Sequence, residues 1–272
     1  MKKLICTVFV FMFAFSGIFG VFGAFASAET ENGTEYFDRG GSLLYSFTDT
    51  VNYHEKDDVS YYVDPILPKY ISSYTCAITA GGNIIAWYNK DYPALIPGHT
   101  AGSTLFGRWI WTGQNTYIDN LFATLNSLMA SPSGGVTISN YLSGMNSYVT
   151  GKGRTFTSSS LMSSGALNFS GCKTAIENDR KLLTIFADGF TFVGIEGNSA
   201  SKFDTLYTRV YQGAHTMAVF GWREVKYKNS SGVTFRTDRY LHVNNGLDGN
   251  HVLLYLNSSY TTVDACYITH IT

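Results

Sequence analysis

Tyr74-Thr75-Cys76-Ala77-Ile78-Thr79-Ala80-Gly81-Gly82-Asn83-Ile84-Ile85-Ala86-Trp87-Tyr88 places a cysteine at the head of an apolar run. The bulky residues Ile78, Ile84, Ile85 and Tyr88 recur at helical rather than strand spacing, with small residues between them. The spacing predicts a buried helix that begins at Cys76 and ends near Asn89, where Pro93 and Pro97-Gly98 break the chain. A thiol in the first turn of such a helix faces unsatisfied N–H groups and the positive end of the dipole. That position favours the thiolate, the nucleophilic form. Gly81-Gly82 costs about 1 kcal/mol per glycine relative to alanine, so another backbone or a substrate is expected close by.

Outward from this helix, residues 117–130 carry Ile118, Leu121, Phe122, Leu125, Leu128 and Met129 on one side, the pattern of an amphipathic helix. Residues 136–149 suggest another helix, and residues 172–179 a short one. Residues 151–165, rich in Ser, Thr and Gly, read as loop. Beyond them the period changes. Residues 181–187 and 191–195 are apolar runs joined by Asp188-Gly189, a hairpin signal. Residues 215–228, 233–243, 251–256 and 265–271 complete a series of strands. Helices first and an antiparallel sheet second give an α+β expectation: a helical N-terminal half packed on a C-terminal sheet half, with the site in the cleft between them.

Before the helix lie two further pieces. Residues 1–28 have Lys2 and Lys3, a long apolar run and Ala26-Ser27-Ala28, the pattern of a cleaved secretory signal peptide. A retained membrane anchor is the other reading of that run. Residues 29–64 form a polar arm or short pro-segment, in which residues 42–47 alternate like a strand. The main domain spans residues 65–272, starting at Pro65-Ile66-Leu67-Pro68. The 19 basic and 20 acidic side chains form no basic stripe, which argues against a nucleic-acid partner. The expected protein is secreted or cell-wall associated, a monomer without stable membrane association once the signal is removed. Cys6 leaves with the signal, so Cys76, Cys172 and Cys266 remain. This odd number points to at least one unpaired thiol. Cys172 and Cys266 either pair or stay reduced as small hydrophobes.

A nucleophilic cysteine needs a base, and the base an orienting partner. His54, His99 and His270 lie in the arm, a Pro/Gly loop and the C-terminus, which leaves His215, His242 and His251. His215 stands 215 − 76 = 139 residues after Cys76, at the start of an apolar strand. Asn244 follows 244 − 215 = 29 residues later, at a strand end before a glycine loop. Papain-type spacing puts His and Asn about 130–150 residues past the Cys. His215 falls inside that window, and Asn244, at 244 − 76 = 168, a little beyond it.

Three segments carry a family resemblance: Tyr74-Thr75-Cys76-Ala77 before a helix, Gly213-Ala214-His215-Thr216-Met217-Ala218-Val219-Phe220-Gly221-Trp222, and Tyr240-Leu241-His242-Val243-Asn244-Asn245-Gly246-Leu247-Asp248-Gly249. Together they resemble the papain-like cysteine peptidases, in particular the secreted bacterial branch that includes streptopain. The resemblance implies Cys76 as nucleophile, His215 as base and then acid, and Asn244 holding the imidazole by its far nitrogen. It also implies a thiolate–imidazolium resting pair, a polypeptide substrate and no cofactor. Asn245 competes for the orienting role, but strand parity favours Asn244. The family's oxyanion glutamine has no counterpart, because position 70 is Tyr70. The Cys76 N–H offers one donor, and Tyr70, Ser72, Ser73 or Tyr74 a second. Rival readings are a transglutaminase or amidase using Asp248, a cell-wall amidase or endopeptidase, and a secreted binding module with an inert thiol. No group of His, Cys, Asp and Glu has the sequence spacing of metal ligands.

Overall fold

The computed structural model describes residues 38–130 and 134–272. The predicted signal peptide and the first residues of the arm lie outside this range. None of the described helices is long and apolar enough to cross a membrane.

The expected division into a helical half and a sheet half is not what the chain adopts. Strand makes up 46% of the described residues and helix 23%. The polar arm supplies two strands, β1 (Ser42–Asn52) and β2 (Glu55–Tyr62), before the first helix, α1 (Cys76–Tyr88). A hairpin, β3 (Gly102–Leu105) and β4 (Arg108–Trp111), precedes α2 (Thr116–Met129) and α3 (Ile138–Gly151). Then come β5 (Phe156–Ser160), the small hairpin β6 (Met162–Ser163) and β7 (Ala166–Leu167), and α4 (Phe169–Glu177). The last part is β8 (Leu182–Asn198), β9 (Phe203–Lys228), β10 (Thr234–Asn244), β11 (His251–Tyr255) and β12 (Val263–Ile271).

Eight of these strands form one antiparallel sheet in the order β1-β9-β10-β11-β8-β12-β5, with β2 also on β9. Because β8 pairs directly with β9 as well, the ladder closes through β9, β10, β11 and β8. Both arm strands pair with β9, β1 along Phe203 to Gln212 and β2 along Gly221 to Lys228. The first strands in sequence therefore complete the sheet of the last ones. The arm was weakly patterned in sequence because both strands are largely exposed on both faces, so no alternation of apolar and polar residues is required.

The α1 helix begins at Cys76, as its spacing predicts, and is buried along its whole length. α2, amphipathic and capped by the Asn115 side chain on the Tyr117 and Ile118 N–H groups, packs on it. Gly82 lets this happen: a Cβ there would stand 2.2 Å from the Phe122 ring. The close neighbour at the glycine pair is thus a side chain of α2, not a substrate. Asp188-Gly189 is also not the predicted hairpin. β8 runs straight through it with a bulge, and Gly189 takes φ +83°. Residues 156–160, expected as loop, form β5 against β12.

Candidate active site

Cys76 is the first residue of α1, so its own N–H and those of Ala77 and Ile78 have no partner within the helix. Asn83, about two turns further on, fixes the approach to it. Its side-chain oxygen accepts from Tyr70 N–H at 2.9 Å, and its amide donates to Tyr70 O at 2.8 Å. The incoming segment is held against α1 like a paired strand. Ser72 Oγ and Thr79 Oγ1, 2.7 Å apart, add a second tie. The start of α1 is thereby placed by the paired Asn83 amide and the Ser72–Thr79 hydroxyl contact.

His215 sits in β9 opposite Ala187 of β8, just past the bulge. The bulge turns the Phe190 ring beneath the imidazole, with centroids 4.7 Å apart and planes 22° from parallel. His215 Nε2 lies 2.6 Å from the main-chain oxygen of Asn245. A carbonyl can only accept, so Nε2 carries the proton and Nδ1 keeps its lone pair. Nδ1 has no hydrogen-bond partner. One nitrogen of this ring and Cys76 Sγ belong to a buried group of polar atoms all within 4.8 Å of one another.

The third member is a residue that sequence reasoning missed. Asp38, fully buried in the arm, accepts the Cys76 thiol proton on Oδ1 and the Ala77 N–H on Oδ2. Its own N–H donates to Val136 O at 3.0 Å, and Gly40 N–H donates to Oδ1 at 3.3 Å. No spacing rule reaches from position 38 to position 76 across two strands. The only hint in the sequence is an acidic residue four positions before a strand, with Gly40-Gly41 between them.

Burial decides the charge of all three groups. Desolvation raises the Asp38 carboxyl to about 6, although bonds from Cys76, Ala77 and Gly40 pull the other way. The Cys76 thiol is pushed well up, first by burial and then by the negative charge of Asp38. Burial lowers His215 to about 4, with the Asn245 carbonyl opposing. The resting pair is therefore neutral thiol and neutral imidazole, and the carboxylate carries the negative charge. The expected thiolate–imidazolium pair does not form while Asp38 is in place. The helix terminus favours an anion as argued, but the anion it holds is Asp38.

Asn244 is not brought to the imidazole. Its amide donates to Pro68 O at 3.0 Å, and its side-chain oxygen accepts from Gly246 N–H at 3.0 Å. The place expected for its side chain is taken by the main chain of the next residue. Asn244 instead shapes the loop that presents that carbonyl, and a Cβ on Gly246 would stand 3.9 Å from Cys76 Cβ. Among the oxyanion candidates, Tyr70 spends its hydroxyl on Thr112 O at 2.5 Å, while Ser73 and Tyr74 are exposed. Ala77 N–H is the donor seen holding a negatively charged oxygen beside the sulfur. Asp248 caps its own loop through Asn245 and Asn250.

Asp38, Cys76 and His215 offer the oxygen, sulfur and nitrogen donors of a transition-metal site. Ligands at about 2.0–2.3 Å around a tetrahedral ion would have to stand well apart from each other. Here the carboxylate and thiol touch directly, as a hydrogen-bonded pair does. Cys172 and Cys266 are buried and free.

A groove of about 670 Å³ runs beside the segment that leads to Cys76, walled by Ile66, Tyr70, Trp109 and Trp111. It does not reach the sulfur, which lies under Asp38. No family model, curated protein or solved structure matches the chain, so the reading of this site rests on its own geometry.

Proposed function

We propose that the protein is a thiol hydrolase that cleaves peptide bonds, with Cys76 as nucleophile and His215 as its base. One observation carries this reading. A cysteine at a helix start shares a buried cluster with an imidazole whose far nitrogen is held by a carbonyl, leaving Nδ1 free as the base.

The roles follow from the atoms. Nδ1 of His215 takes the thiol proton as Sγ attacks the acyl carbon. The carbonyl oxygen becomes negative and takes the Ala77 N–H that Asp38 now occupies, with the Cys76 N–H beside it. The intermediate collapses, the C–N bond breaks, and the imidazolium returns its proton to the leaving amine. Water then attacks the thioester with His215 again as base, releasing the acid and restoring the thiol. The Asn245 carbonyl stabilises the imidazolium at both stages, so no second carboxylate is required for orientation. The aromatic groove suits the bulky side chains of a polypeptide. The predicted leader, cut after Ala28, would make this an exported enzyme, and an intact-mass measurement of the secreted chain reads that cut.

The test is hydrolysis of casein by the full chain carrying Asp38→Ala, because Asp38 covers the sulfur in the parent, with the site substitutions made on that background. Cleavage that disappears in Cys76→Ala and His215→Gln supports the assignment. Cleavage that survives in either variant contradicts it.

A further inference from the structure

The site as described is closed. Cys76 is 6% exposed, and Asp38 and His215 are 0% exposed. Asp38 stands on the sulfur and on the N–H beside it, the positions an acyl carbon and its oxygen would have to take. The carboxylate also holds the two groups that the reaction needs: the thiol proton, which should pass to His215, and the Ala77 N–H, which should take the developing oxyanion. A planar group with one oxygen on the sulfur and one on the helix N–H has the size and charge of an acid product at the moment of release.

We propose that Asp38 is an inhibitor built into the chain, a carboxylate bound in the nucleophile's anion site that keeps Cys76 unreactive until the arm is withdrawn. This rests on the hydrolase reading for its purpose, but the grip on the thiol is measurable without any substrate.

The fold shows where withdrawal takes place. β1 is paired with β9 from Ser42 to Asn52 and stays with the sheet. Gly41 is pinned, since a Cβ there would stand 2.4 Å from the Phe190 ring. Gly40 has φ +81° and open space around it, and Arg39 is exposed. The pivot, or the bond to be cut by a peptidase, is therefore Arg39–Gly40. On the far side Asp38 has, among the described residues, one main-chain bridge, to Val136. Among the described residues, release of that bridge and of the carboxylate's bonds to Cys76, Ala77 and Gly40 would uncover the sulfur while the β1–β9 pairing stays intact.

The experiment is the rate of iodoacetamide alkylation of Cys76 in the folded full chain at neutral pH, located by peptide mapping. Asp38→Ala should react roughly tenfold faster than the parent or more, because the thiol loses both its cover and the adjacent negative charge. Asp38→Asn keeps the shape and an acceptor for Ala77 N–H but not the charge, and should fall between the two. If Asp38→Ala does not fold, Asp38→Asn alone decides. Parent-like alkylation in the folded variants overturns the proposal. Fast alkylation without casein cleavage in Asp38→Ala would sink the hydrolase reading and leave the carboxylate's grip standing. Casein cleavage by the intact parent as fast as by Asp38→Ala would sink the inhibitor and leave the hydrolase.

Discussion

His215 Nε2 and the main-chain oxygen of Asn245 lie 2.6 Å apart, and this contact sets the imidazole's tautomer and direction. A side chain was expected there and a peptide carbonyl does the work. The distinction has a consequence for mutagenesis, because a carbonyl cannot be deleted by substitution.

Asn244→Ala is thus expected to behave as a loop variant. It removes the bonds to Pro68 O and Gly246 N–H, both buried or nearly so, at a cost of about 1–3 kcal/mol. Thermal unfolding should show that loss. Activity per folded molecule should fall by less than about tenfold, where a catalytic orienter would cost far more.

Acid and base should pull the site in opposite directions. Asp38 is raised from 3.8 to about 6, so it is worth most to the folded state when protonated, and its contribution is lost as pH rises through 4 to 6. His215 is lowered from 6.5 to about 4, so its contribution is present above 6.5 and lost as pH falls through 6.5 to 4. Each of these two effects is worth about 3 kcal/mol. Cys76, the other titratable group facing both, stays a thiol throughout this range. The parent Tm should change little from these groups between pH 4 and 6. In Asp38→Asn it should drop on acidification, and in His215→Gln it should rise. Parallel slopes in all three would contradict the assignment.

Gly82→Ala tests the packing that sets the height of Cys76. The new methyl would meet the Phe122 ring at 2.2 Å, so α1 and α2 must part or the ring must turn. A loss of about 1–3 kcal/mol in denaturant unfolding is expected. Because the sulfur rides on α1, casein cleavage should fall along with stability.

At the opposite end of the sheet, Lys56 Nζ donates to both oxygens of the fully buried Asp204, at 2.9 and 3.0 Å. Lys56→Met would leave that carboxylate with Tyr227 as its remaining side-chain donor. The expected cost is about 3 kcal/mol, since an unpaired charge would remain buried. Cys76 alkylation should be unchanged in the fraction that stays folded.

Part of this architecture is legible in the sequence, and part is not. α1 and α2 were legible because their apolar spacing is local. Cys76 stood out because it opens α1, and His215 because small and apolar residues follow it to Trp222, although its strand begins twelve residues earlier, at Phe203. β8 was misread because Asp188-Gly189 signals a turn, and nothing local reveals that neighbours on both sides hold the strand straight. β2 is polar because it lies on the outside of β9, so its place in the sheet comes from pairing alone. A main-chain acceptor such as Asn245 O has no sequence signature at all. Asp38 is the same case at longer range: an ordinary carboxylate becomes a site residue only when β1 is laid on β9. The helical-half expectation failed for that reason too, since it counted the arm as outside the domain.

The central claim, that Cys76 is a nucleophile served by His215, is tested most directly by stoichiometric labelling of the Asp38→Ala chain. One equivalent of iodoacetamide should place the label on Cys76 rather than on the buried Cys172 or Cys266, and casein cleavage should be lost in proportion to labelling. The same reagent should label the Asp38→Ala, His215→Gln double variant more slowly by an order of magnitude or more. Label spread over the three cysteines, or cleavage that persists after Cys76 is fully modified, would contradict the account.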